Sequence, residues 1–180
     1  TASSTENDAY VTYNYADNLW YYGTMERTSW VDRGSRPYPI AASSIDNLLY
    51  NHELGVDDGS TVPGTSLGSY IESADIDLGD GDQFMFIRRI LPDVNFTGSN
   101  VESPSVVMTT KMKRNPGSGF TDTEAATTTR TATSPIEKHT EQLNVRLRGR
   151  SLAMRVESTV LGTHWTLGIP KVDIRPDGKR

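Results

Sequence analysis

Leu143-Asn144-Val145-Arg146-Leu147 and Leu152-Ala153-Met154-Arg155-Val156, joined by Arg148-Gly149-Arg150-Ser151, decide the fold class of this chain. The large apolar residues are odd-numbered in the first run and even-numbered in the second. A period of two sends successive side chains to opposite sides of a strand, so each run reads as a strand with one buried face. If Leu147 pairs with Leu152, then Val145 faces Met154 and Leu143 faces Val156, and a single antiparallel register gathers all six apolar side chains on one face. The expectation is a β-hairpin with Arg146 and Arg155 on its outer face and Arg148 and Arg150 at its turn.

Working outward, strand patterns recur and sustained helical spacing does not. Tyr10 to Met25 holds two aromatic and β-branched runs around Ala16-Asp17-Asn18, whose Asx residues suit a turn. A second pair follows, Pro39 to Ser43 and Leu48 to His52 around Ser44-Ile45-Asp46-Asn47. Strand, short Asp/Asn turn and aromatic strand, repeated, is the pattern of propeller blades, with two unrelated hairpins as the plainer alternative. Leu54 to Ser69 is rich in Gly, Ser, Asp and Thr and reads as a linker. Beyond it come Ser69 to Ser73, the apolar strand Phe84-Met85-Phe86-Ile87, Ser105 to Lys111, and near the end His164 to Ile169 and Val172 to Arg175. Residues 114–135 are nearly free of large apolar groups and are expected to form a long loop. Ser134-Pro135-Ile136-Glu137 resembles a capping box with Pro at the first helical position, enough for one helical turn. The whole reads as all-β with antiparallel sheets: propeller-like hairpins over residues 1–62, then a β-sandwich or barrel-like module over 63–180.

Charge and composition narrow the function classes. A net charge of −5 argues against a dedicated nucleic-acid binder, which normally presents a basic footprint. The total hides a polarity, because residues 1–100 carry 15 acidic and 5 basic side chains and residues 101–180 carry 8 and 13. Such a chain suits head-to-tail packing against copies or partners. With no cysteine, disulfides and thiolate metal sites are excluded, and the composition fits assembly in a reducing cytoplasm. No apolar run approaches the length needed to span a bilayer. Hydrophobic residues make up 35%, a modest supply to offset ordering entropy, so neighbouring subunits are expected to provide some of the burial.

Chemistry-bearing motifs are few. Gly64-Thr65-Ser66-Leu67-Gly68 matches the G-x-S-x-G of serine hydrolases, but a polar segment precedes it and a strand pattern follows, where the motif needs a strand-to-helix turn. Asp75, Asp77, Asp80 and Asp82 invite a calcium reading, yet as an EF-hand loop the segment has Gly79 at a ligand position and Asp80 where glycine is required. A tight turn is the simpler account. His52, His139 and His164 are too scattered to build a zinc site. Asn95-Phe96-Thr97 is a glycosylation sequon without a secretory context. Neither catalytic residues nor a cofactor are expected. The basic residues Arg146, Arg148, Arg150, Arg155, Arg175, Lys179 and Arg180 read as an assembly interface or a solvated face in preference to a DNA site, because aromatic residues are not interleaved with them.

Several strings resemble a known family. They are Leu19-Trp20-Tyr21-Tyr22-Gly23 through Trp30-Val31-Asp32-Arg33-Gly34, Tyr70-Ile71-Glu72-Ser73, Gly79-Asp80-Gly81-Asp82-Gln83-Phe84-Met85 with Arg88 to Asp93, and Arg148-Gly149-Arg150 to Arg175-Pro176-Asp177-Gly178. Together they resemble the C-terminal part of tail nozzle (tail tubular) proteins of short-tailed bacteriophages. That resemblance implies a propeller-containing virion subunit, six copies around the tail axis, joined to portal and adaptor proteins and serving as a conduit for genome ejection, with DNA passing but not specifically bound. Members are usually several times longer than this chain. Two other classes stay open: a carbohydrate-binding or depolymerising tail module using Trp20, Trp30 and Trp165 as sugar platforms, and a capsid decoration protein.

Overall fold

The computed structural model describes residues 5–59, 64–115 and 130–179, and among these every regular element is a strand. The chain divides into two compact units, Thr1–Gly55 and Val56–Arg180, against the boundary at residues 62 and 63 drawn from composition.

In the first unit, β1 (Ala9–Asn14) and β2 (Leu19–Thr24) form an antiparallel hairpin, and β3 (Ser29–Val31), β4 (Ile40–Ala42) and β5 (Leu49–Asn51) form a three-stranded sheet with β4 in the middle. Both expected turns are present. Asn18 and Asn47 close them at φ of 54° and 59°, a left-handed conformation that Asn tolerates better than most residues. Asn14 Oδ1 accepts from the amides of Ala16 and Asp17, and the Asp46 carboxylate accepts from the amide of Leu48, so each turn is tied by its own side chains. Only Pro39, Ala41 and Ser43 are buried among the described residues of this unit.

The second unit contains β6 (Asp57–Asp58), β7 (Thr65–Ser66), β8 (Ser69–Glu72), β9 (Ile76–Asp77), β10 (Met85–Leu91), β11 (Val94–Asn95), β12 (Ser105–Lys113), β13 (Thr131–Glu137), β14 (Leu143–Gly149), β15 (Ser151–Ser158), β16 (Thr166–Leu167) and β17 (Lys171–Pro176). Two sheets dominate: β14-β10-β17, and β13-β12-β15-β8 with β9 also on β15. Their inner faces supply one hydrophobic cluster. Met85, Ile87, Ile90, Leu143 and Val145 come from the first sheet, and Val106, Met108, Met112, Ile136, Leu152 and Val156 from the second.

Here the structure corrects the expected hairpin. β14 pairs with β10, β15 pairs with β12, and neither pairs with the other. The six alternating residues do share a core, but they enter it from two sheets. The reason lies in the connection: only Arg150 separates the strands, and a hairpin within one sheet needs at least a two-residue loop. The Arg150 amide instead donates to the carbonyl of Lys113 at 2.7 Å, pinning the point where the chain leaves one sheet for the other.

Two further corrections concern residues 131–137. The one-turn helix at Ser134 to Glu137 and the C-terminal end of the long loop are both strand, β13, in register with β12 from Ser105↔Glu137 to Lys111↔Thr131. Pro135 is tolerated because β13 is the sheet's edge. Ile136, 2% exposed, supplies the burial that overrides the capping pattern. Residues 116–129 of the expected loop lie outside the described residues. The segment read as a linker contains the pairing of β6 with β7, and both oxygens of the Asp57 carboxylate accept from the amide of Gly162, at 2.7 and 2.9 Å.

Candidate assembly surfaces

The sheet β14-β10-β17 presents its outer side to solvent, and register places cations across it. In β14, Leu143 and Val145 face the core, so Asn144, Arg146 and Arg148 face out. Phe86 is opposite both Arg148 and Arg175, Arg89 is opposite Asn144 and Asp173, and Leu91 is opposite Lys171. Between Ile87 and Arg89 the register shifts against both neighbours, and this irregularity leaves consecutive residues Arg88 and Arg89 both exposed. The face thus gathers Arg88, Arg89, Arg146, Arg148, Arg175 and Lys171 around two carboxylates. Asp173 lies 3.8 Å from Arg89, and Asp177 is ion-paired with Arg148.

The candidate arginines separate into two kinds. Arg146 and Arg175 belong to this face, as does Arg148, whose guanidinium also lies 4.0 Å from the centre of the Phe84 ring. Arg150 is consumed inside the unit: it donates to the carbonyls of Gly81, Asp82 and Lys179 and sits 4.4 Å over the same ring, which is 5% exposed. Arg155 lies on the outer side of the other sheet, ion-paired with Glu157 at 2.8 Å and Glu72 at 3.2 Å and stacked over Tyr70 at 3.9 Å. Those carboxylates, Glu157 first, push its guanidinium further into the charged form. Lys111, 2.7 Å from Glu72, and then Arg155 hold the Glu72 carboxyl below its usual range. The face therefore includes three cations that the basic C-terminal cluster omits, Arg88, Arg89 and Lys171. The dipeptide Arg88-Arg89 closing an apolar strand was their signal, but strict alternation would have buried one of the two.

The second surface is the hairpin β1/β2. Register puts Val11, Tyr13, Trp20 and Tyr22 on one side and Tyr10, Leu19 and Tyr21 on the other, and all seven are exposed. Tyr13 and Trp20 stack at 4.5 Å between ring centres. On the opposite side Tyr10 lies across Gly23, where a Cβ would fall 2.6 Å from its hydroxyl, so glycine there admits the ring. A two-stranded ribbon with apolar groups on both sides is marginal by itself in water. In the neighbouring sheet Arg27 Nε donates to His52 Nε2 at 3.2 Å, and Trp30 packs on the same imidazole at 4.7 Å. Partial burial, then the charge of Arg27, lowers the pKa of His52.

The remaining motifs do not converge on a reaction centre among the described residues. Ser66 lies in β7 opposite Asp57, and strand β8 follows it where a hydrolase elbow would need a helix. Asp75 is paired with Lys113 at 2.5 Å and Asp82 with Lys179 at 2.7 Å, the latter pairing lowering the Asp82 pKa. Gly79 and Gly81 take positive φ in the turn between them. Asp77 lies in β9, and no three of the described His, Asp or Glu residues are grouped to hold a metal ion. Asn95 uses its side chain to accept from the amide and hydroxyl of Thr97, and Phe96 is in the core. Of the three tryptophans, Trp20 lies on the hairpin and Trp30 on the three-stranded sheet of the first unit, while Trp165 packs against the core of the second unit with its indole N–H donating to Ser69. No helix among the described residues is long and apolar enough to cross a membrane. Compared with known proteins, the chain matches no family model and no curated sequence.

Proposed function

We propose that this chain is a structural, non-enzymatic subunit of a virus particle, of the tail nozzle type found in short-tailed bacteriophages, and that it works as one member of a ring surrounding the path of the ejected genome. In this reading the N-terminal hairpins are parts of propeller blades and the second unit is a β-sandwich-like module. Six copies surround the tail axis, adjoining portal and adaptor proteins, and the particle is put together in the bacterial cytoplasm. An acidic lumen would repel DNA phosphate and let the genome slide without sticking.

One observation carries the reading. The first unit buries only Pro39, Ala41 and Ser43 among its described residues, while Tyr22 is 82% exposed, Trp20 66% and Leu49 74%. Burial that slight does not offset the entropy of ordering the unit, so these exposed surfaces call for cover from polypeptide outside the described residues, as the interfaces of a ring subunit would supply.

Negative-stain electron microscopy of the concentrated protein, together with copy number per virion by quantitative mass spectrometry, tests the reading. Rings and a handful of copies per particle are expected. A strictly monomeric protein, hundreds of copies per particle, or binding or cleavage of host surface polysaccharide would overturn it.

A further inference from the structure

We infer that the cationic outer side of β14-β10-β17 is the docking surface for the acidic, aromatic N-terminal unit of a second copy of this chain, so that copies associate head to tail. The inference rests on the ring-subunit reading and names the contact that builds the ring. The face holds six cations against two carboxylates, with Phe86 and Leu91 among them. Arg88, Arg146 and Arg175 make no ion pair with any described residue.

Its composition selects the partner. Five of the six cations are arginine, the cation enriched at protein interfaces, where lysine is depleted. A guanidinium grips a carboxylate through paired N–H donors and also stacks on aromatic rings. This chain already uses the second mode at Arg27 over Tyr50, Arg148 over Phe84 and Arg155 over Tyr70. The N-terminal unit carries both groups. Residues 1–55 contain seven acidic and three basic side chains, and Asp17, Asp32 and Glu53 are exposed in the same unit as Tyr22, Trp20 and Trp30. A polyanion such as DNA would meet the cations but leave the aromatic hairpin uncovered, and it would have to approach a chain of net charge −5. Because the two patches differ, the contact is heterologous, the kind of interface that builds a ring when the rotation between copies closes.

Charge reversal tests the contact in the full chain. Sedimentation velocity and electron microscopy are run on the native protein, on R88E/R146E/R175E, on D17K/D32K/E53K, and on the chain carrying both sets, with circular dichroism confirming that each is folded. The native protein is expected to form rings at about 0.05 M salt and to weaken at about 0.5 M, where charges are screened within a few ångströms. Each single set should weaken association at least about tenfold, and the doubly reversed chain should recover it, because like charges at an interface repel and restored complementarity removes the repulsion. Rings that persist in the R88E/R146E/R175E chain at both salts would overturn this contact while leaving the ring-subunit reading intact. A native protein monomeric under every condition would overturn both. Binding of a labelled DNA duplex that R88E/R146E/R175E abolishes, with assembly unchanged, would assign the face to nucleic acid and overturn the proposal.

Discussion

Val145 and Leu152 lie seven positions apart and meet in one hydrophobic core, yet they belong to different sheets: Val145 to β14, bonded to β10, and Leu152 to β15, bonded to β12. The core is therefore held from both sides by a single turn of chain. Leu152 is 1% exposed. Leu152→Ala is expected to cost about 2–5 kcal/mol, as buried Leu truncations do, read as a lower urea midpoint.

Gly149 sits just before the crossing, and space there is scarce. A Cβ at this position would fall 2.7 Å from the Lys113 carbonyl oxygen and 2.9 Å from Met112 Cβ, neither of which is a flexible side-chain end. Gly149→Ala should destabilise the second unit by about 1–3 kcal/mol through overpacking. Gly34, with nothing within 4 Å of the equivalent position, is the control whose alanine variant melts like the native protein.

Arg150 and Arg146 should behave oppositely although both were candidates for an outer surface. Arg150 holds three carbonyls and covers Phe84, so Arg150→Ala leaves acceptors without their charged donor and should lose about 1–3 kcal/mol. Lys in its place cannot reproduce the planar fork and should restore little. Arg146→Ala, on an exposed position, should stay within about 0.5 kcal/mol. Thermal melts of the three variants decide it.

His52 makes the stability of the first unit depend on pH. Its Nε2 accepts from Arg27, which requires the neutral ring, and burial and the Arg27 charge hold its pKa below the ordinary 6.5. Between that lowered value and 6.5 the unfolded chain binds more protons, so the contribution is fully present above 6.5 and is lost as pH falls through the folded value. NMR titration should find the His52 resonance moving at lower pH than that of an unperturbed histidine. His52→Gln should flatten the acid-side decline in melting temperature.

The period-two alternation in residues 143–156, the aromatic runs around Asp and Asn, and the absence of helical spacing made the all-β class and both N-terminal turns legible from residue order alone. These are local properties: a strand's two faces and a turn's left-handed residue are set by a few neighbours along the chain. Which strand bonds to which was not legible, and the case of β14 and β15 shows why. Alternation states that a side chain points inward, and it is satisfied equally whether the opposing strand is a hydrogen-bonded neighbour or lies in a facing sheet. For the same reason the basic cluster could be named but not sorted. Arg150 and Arg155 found internal carbonyls and carboxylates, whereas Arg88 and Arg89 joined Arg146 and Arg175 through a shift in register. Ser134 to Glu137 followed a helical pattern locally and became strand because burying Ile136 against β12 outweighs one cap. By itself, then, the order of residues determined which side chains seek burial and where the chain turns. Tertiary structure alone decided the partners, because pairing and charge compensation depend on groups that are distant in sequence and brought together only when the core closes.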